Sequence, residues 1–305
     1  MKITRRMSAT LLASLLLGFA ATPALADGFD RFRREVAPKL GPQTLSFRGG
    51  APAGADGFVL NDVVVRQPPK NGGAAVEILR MSRLTVDRLD FARLARGEDA
   101  HFAKLRAEGL VASPTAEQTA TWRNYGLGQR PSTIDLDFGF DAPRQTLTIR
   151  RFEAVTPGQG RLLADASLTG LAALTGPPGS NLLQRSSLRS AKLFYEDQSL
   201  AAEAVATAAD RAGKSREALI AEWLGVLKLF SFGRDTATIS ALDSLASFLT
   251  DYRRPAGPIQ ITAAPARPVP VSVLQTLWLA PDAATAAGLS ISYPGTRRGA
   301  ASGLR

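Results

Sequence analysis

The run from Ser132 to Tyr195 sets the tightest limit on the fold. It reads as four successive strands, STIDLDFGFD, QTLTIRR, RLLADASLTGL and SSLRSAKLFYE. In the first, Ile134, Leu136, Phe138 and Phe140 alternate with Thr133, Asp135, Asp137 and Gly139, the period-2 pattern of a strand with one apolar and one wet face. Asp141-Ala142-Pro143-Arg144 supplies the turn, because Pro fixes one dihedral and Asp can bond its own backbone. Two hairpin registers keep the apolar faces together. The shorter pairs Phe138 with Leu147 and Leu136 with Ile149 and brings Arg150 opposite Asp135; one longer by two loop residues sets Arg150 against Asp137. Either way the wet face carries a charge pair, and the apolar face needs a cover of helices or of ligand.

Before this run, Asp27 is placed to cap a short helix with Phe29, Phe32 and Val36 on one stripe, ended by Pro38. Extended pieces follow at residues 44–47 and 58–65, and Pro68-Pro69-Lys70-Asn71-Gly72-Gly73 forms a turn or loop. A longer strand spans residues 75–89, where Arg80 to Arg83 interrupts the alternation and predicts a bulge. Asp90 caps one or two helical turns that Gly97 closes, and residues 101–111 return as a strand. Thr115-Ala116-Glu117-Gln118 has capping-box spacing for a helix carrying Trp122 and Tyr125.

After the central strands, three helices are expected at residues 198–211, 216–230 and 239–252, the first two capped by Asp197 and Ser215. The second carries Leu219, Ile220, Trp223, Leu224, Leu227 and Phe230, a stripe wide enough to cover a sheet face. Strands at 259–263 and 289–293 flank a helix near 272–279. Strands in the first half and at the end, with helices grouped between, predict an α+β fold: a curved antiparallel sheet covered by a group of helices. Residues 27–294 read as one elaborated domain, with a lobe boundary near 113–131 as the alternative and residues 295–305 as a disordered tail.

The unit LTVDRLDFARLARGEDAHFAKLRAEGL, strand then short helix then strand, resembles a recurring element of the periplasmic AsmA and YdgA-like proteins. The resemblance implies antiparallel sheets that curl into grooves and brings no catalytic residues. That group usually keeps an N-terminal membrane anchor. Here Lys2, Arg5 and Arg6, the apolar run 11–21 and Ala24-Leu25-Ala26 compose a cleavable leader, residues 1–26. The expected product is a periplasmic or secreted protein beginning at Asp27 with no transmembrane span, exported by general secretion or by the twin-arginine route. Taking the three leader cations from a formal charge of +10 leaves +7. Such an excess can favour anionic membrane surfaces or acidic polymers, but the basic residues are spread along the chain rather than clustered, which makes a solvated arginine-rich surface the simpler reading; nucleic acid is not an expected partner outside the cytoplasm.

The absence of cysteine excludes disulfides and thiol chemistry. His101 is the only histidine, and no HExxH, GxSxG or P-loop pattern occurs. Asp135 and Asp137, about 7 Å apart along one strand, could serve as a carboxylate pair or hold calcium, but Arg150 as counter-ion makes a solvated charged face the simpler reading. No catalytic, metal or cofactor site is expected. The function expected is that of an exported, non-enzymatic protein binding or carrying an apolar ligand such as a lipid, with Leu136, Phe138, Phe140, Trp223 and Leu227 lining a groove between sheet and helices. The alternatives are an envelope assembly factor acting through a protein partner, and a carboxylate-based secreted hydrolase.

Overall fold

Side-chain alternation gathers the strands of the described residues into one antiparallel sheet of twelve. The computed structural model describes residues 27–40, 44–54, 56–67, 76–113, 130–171, 185–277 and 279–296. The leader, the 68–73 turn, the capping-box helix with Trp122 and Tyr125, nearly all of the 113–131 boundary and the tail beyond 296 lie outside the described residues.

The described residues open with α1 (Gly28–Arg31), a π-helical turn (Phe32–Val36) and α2 (Ala37–Leu40). Then come β1 (Leu45–Ser46), β2 (Gly49–Pro52), β3 (Phe58–Gln67), β4 (Val76–Leu89), α3 (Phe91–Leu94) and β5 (Phe102–Ala112). The central strands are β6 (Ser132–Asp141), β7 (Thr146–Thr156), β8 (Gly160–Thr169) and β9 (Ser187–Asp197). Helices α4 (Leu200–Ala212), α5 (Arg216–Ser231) and α6 (Thr236–Thr250) precede β10 (Ile259–Ala263), β11 (Val269–Pro270), α7 (Val271–Leu277), α8 (Ala283–Ala287) and β12 (Leu289–Ser292). The spatial order is β1-β3-β4-β5-β6-β7-β8-β9-β10-β12, with β2 on β3 and β11 on β9. No helix among the described residues is long and apolar enough to cross a membrane.

This corrects the expected α+β class. Strands take 41% of the described residues against 32% for helices, and the sheet is open rather than covered by a helical layer. The wide stripe of α5 finds other helices instead: Ile220, Trp223 and Leu224 pack with Val205 of α4 and with Tyr252, which follows α6. A helix stripe states that a partner is needed but not which one. From the C-terminal group α6 and α8 pack on β12, Phe248 of α6 also meets Tyr195 of β9, and α7 touches β11.

Local signals were read more faithfully. Asp27 Oδ1 accepts from the Asp30 N–H at 2.9 Å, Ser215 Oγ from Ala218 N–H at 3.1 Å, and Asp197 Oδ1 from Ala201 N–H at 2.9 Å. Gly213 closes α4 in the left-handed region at φ +62°. These contacts satisfy donors and acceptors that helix ends leave open.

The β6–β7 hairpin takes the longer register. Phe140 pairs with Leu147 and Phe138 with Ile149, after which β7 holds one extra residue, so that Asp137 faces Arg151 and Leu136 faces Phe152. Arg150 still reaches Asp137, Nη1 to Oδ1 at 2.9 Å. The predicted bulge at Arg80–Arg83 is absent; the extra residues of β4 are Ile78, against β3, and Asp87, against β5. What interrupts the alternation near Ser82 is backbone conformation in the flanking strands: Asp62 of β3 has φ +49° and Gly109 of β5 has φ +62°. Ser82 Oγ donates to the Glu108 carbonyl at 2.9 Å, and a Cβ on Gly109 would collide with that hydroxyl.

The main core lies at the N-terminal end of the sheet. Phe32 and Val36 of the π-helical turn bury against Phe58, Leu60, Val63, Met81, Val86 and Phe91. Phe32 stacks on Phe58 with ring centroids 4.5 Å apart.

Candidate ligand-binding face

Cross-strand pairs join apolar residues into rows that run across the sheet. One row passes from Phe58 through Val86, Leu105, Leu136, Phe152, Ala164, Leu193 and Ile261 to Ile291. Directly opposed residues share a face, so this row marks a single apolar surface over nine strands. A second row beside it runs Ala103, Phe138, Ile149, Ala166, Ala191, Ala263, Leu289. The bulge at Arg150 makes the surface continuous, because strict alternation after Leu147 and Ile149 would turn Arg151 inward. The extra residue puts Phe152 there instead.

Helices cover this face at its two ends. The π-helical turn covers β3 and β4 through Phe32. At the far end Phe248 of α6 meets Tyr195 edge-on at 6.4 Å and Tyr293 at 5.5 Å. The Tyr195 hydroxyl donates to Asp197 Oδ1 at 2.6 Å, and burial together with that bond pushes its phenol well above the ordinary tyrosine range. Between the ends, Leu136, Phe138, Ile149, Phe152, Ala164, Ala166, Ala191 and Leu193 all remain partly exposed. Strands lie about 4.8 Å apart, so the open part from β5 to β9 is roughly 20 Å wide. Its floor is low along β8 and β9, where Ala164, Ala166 and Ala191 stand between larger side chains. The result is a shallow apolar trough with aromatic walls.

Of the residues expected to line a groove, Leu136 and Phe138 lie on the open part of this face. Phe140 lies at its margin, 9% exposed, with the His101 ring edge-on at 5.0 Å. Trp223 and Leu227 are on α5, and Trp223 belongs to the helical cluster, so the structure does not assemble the five residues as one lining. Sequence reasoning missed Phe152, Ala164, Ala166 and Leu193. The alanines had a signal, two small residues at consecutive inward positions in LLADASL. Phe152 had none, since period-2 counting breaks at the bulge.

From β4 to β7 the opposite face is charged and internally matched, and at β8 and β9 it carries the apolar pair Leu163 and Phe194. Asp137 Oδ1 accepts from Arg88 at 2.8 Å and Arg150 at 2.9 Å, Asp135 pairs with Arg106 at 3.1 Å, and Lys104 with Asp87 at 2.8 Å. Glu153, opposite Asp135 in the ladder, is buried at 8% side-chain exposure and held between Arg151 and Arg161. Burial acts to raise both the Asp137 and the Glu153 carboxyl. The arginine hydrogen bonds outweigh it and hold each below its ordinary range. A general acid needs the reverse shift. A recess of about 290 Å³ on this face is lined by Asp87, Lys104, Arg106, Asp135 and Asp137, all in these ion pairs. No group of His, Asp or Glu among the described residues is placed to hold a metal ion.

A protein-family model described as "Uncharacterized protein" matches residues 135–293, just over half of the chain. The chain belongs to that family. The family segment begins in β6 and ends just past β12, so it contains the alanine floor, the Phe248 wall and helices α4 to α8, and omits β1 to β5 with their N-terminal cover. No curated protein matches the chain.

Proposed function

We propose that this protein, exported through its N-terminal leader, binds or carries an apolar ligand of the lipid class across the open trough of its sheet. The observation that supports this reading is the row Leu136–Phe152–Ala164–Leu193, apolar without a break and partly exposed between two ends that helices do cover. Contiguous exposed apolar surface is uncommon on soluble proteins and usually marks a place where something binds. Covering about 300 Å² of it contributes on the order of 7 kcal/mol before the entropy of binding is charged against it. The hydrocarbon core of a bilayer is about 30 Å thick, so one acyl chain extends about 15 Å, which fits the width of the trough. The polar head of such a ligand would remain at the rim, in water.

The test is extraction of the native protein from the cell envelope, mass spectrometry of what leaves with it, and titration of the emptied protein with a fluorescent fatty acid. A stoichiometric lipid and saturable probe uptake are expected. A protein that carries no lipid and takes up no probe refutes the reading.

A further inference from the structure

A second apolar surface lies far from the trough in sequence and belongs to the helical end. Helix α5 is buried at its start by Leu219 and Ile220 and bare at its finish, where Leu229 and the following Phe232 are each 70% exposed and Val226 is exposed beside them. The turn after α5 is fixed in place. Arg234 Nε donates to the Phe230 carbonyl at 3.0 Å while its guanidinium also bonds the Ala280 carbonyl, and the Asp235 N–H donates to the Pro281 carbonyl at 3.0 Å. These bonds hold the turn against the segment that carries Leu279, itself 57% exposed. The corner thus carries an exposed phenylalanine and two exposed leucines on a hydrogen-bonded turn.

Charge defines what such a corner suits. Lys228, exposed between Val226 and Leu229, makes no ion pair with any described residue. Of the nearby carboxylates, Glu222 is paired with Lys214 at 2.5 Å, and Asp235 is engaged by the Thr238 N–H at 2.8 Å and by Thr285. Asp282, exposed at the start of α8, is the carboxylate nearest Leu279 in sequence. Without residues 1–26 the chain carries a formal +7, from +10 less Lys2, Arg5 and Arg6. Four exposed apolar side chains fall short of the roughly 800 Å² per partner that a stable protein interface buries. Apolar side chains that enter a headgroup layer beside a lysine need no such area.

We propose that the α5–α6 corner is a membrane-docking tip that inserts Leu229, Phe232 and Leu279 into the interface of an anionic lipid surface, with Lys228 against the headgroups. This does not rest on the trough as a ligand site. It gives the protein a way to stand on a bilayer without a spanning helix.

The test is flotation of the full chain with vesicles of phosphatidylcholine alone and of phosphatidylcholine and phosphatidylglycerol in equal parts. Binding to the anionic vesicles is expected, weakening as salt screens the attraction. The double variant Leu229→Ser, Phe232→Ser should lose roughly tenfold or more of that partition, with an unchanged circular dichroism spectrum because both side chains are exposed. Lys228→Glu, which alters no packing, should lose several-fold and flatten the salt dependence. Ala166→Leu, in the trough, should float like the wild type, which separates failure of this proposal from failure of the ligand reading. A wild type that stays off anionic vesicles, or a double variant that floats as well as the wild type, overturns the proposal. So does a wild-type dimer that the double variant converts to monomer, since the tip would then belong to a second copy of the chain.

Discussion

Phe152 on β7 pairs directly with Ala164 on β8, a phenyl ring beside a methyl on the same open face. The step in side-chain size from one strand to the next is what makes the face a trough rather than a plane. Ala164→Leu or Ala166→Leu should raise the floor. Because the face is open, the added carbons meet no packed neighbour layer, and stability should move by less than about 1 kcal/mol. Uptake of a fluorescent fatty acid should fall about tenfold. Unchanged uptake would put the ligand elsewhere.

Phe138 and Phe140 lie two residues apart on one face, yet they should respond differently to truncation. Phe140 is buried against His101, whereas Phe138 remains partly exposed. Truncation of a buried phenylalanine to alanine costs about 3–5 kcal/mol, so Phe140→Ala should shift the urea midpoint far more than Phe138→Ala. Phe138→Ala should remain folded and lose probe uptake. If the two variants show the same urea midpoint, the central face is either covered throughout or open throughout.

The arginine-held carboxylates predict the acid limb of stability. Both Asp137 and Glu153 sit below their ordinary ranges in the folded protein. Their contribution is therefore present above the unfolded carboxylate pKa, near 4, and is lost as pH falls through the lower folded values. Melting temperature should be flat near neutrality and drop below about pH 4. Glu153→Gln should cost about 1.5–3 kcal/mol at pH 7, toward the lower figure because Arg151 and Arg161 are half exposed, and should make the acid limb shallower. Asp137→Asn, whose arginine partners are likewise half exposed, should cost no more than about 1 kcal/mol and leave ligand uptake intact. Loss of uptake in that variant would move the site to the charged face.

The expectation of a cleavable leader carries its own prediction. N-terminal sequencing of the protein recovered from the periplasm should begin at Asp27, the residue whose carboxylate caps α1. Recovery of an intact Met1 from membranes would mean an anchored protein.

Much of the architecture was legible in residue order because its causes are local. Strand alternation, the caps at Asp27 and Ser215 and the left-handed stop at Gly213 depend on residues within a few positions of one another. The longer hairpin register was one of two that the apolar pattern allowed, and Asp141 Oδ1 accepting from the Arg144 N–H at 3.1 Å shows the turn chemistry that goes with it.

The sequence alone determined that there would be a sheet with one apolar face, and that helices with wide stripes would follow it. Tertiary structure alone decided that those stripes would satisfy one another. Burial energy depends on area and not on the identity of the surface supplying it, so nothing in the stripe itself directs Trp223 to Phe138 rather than to the cluster of Val205 and Tyr252 where it packs. It also decided that Phe152 would face the trough. The bulge that turns it inward is set by Asp137 and Asp165 on the strands to either side, each a single residue set against the pair Arg150 and Arg151, and no count along β7 contains that information.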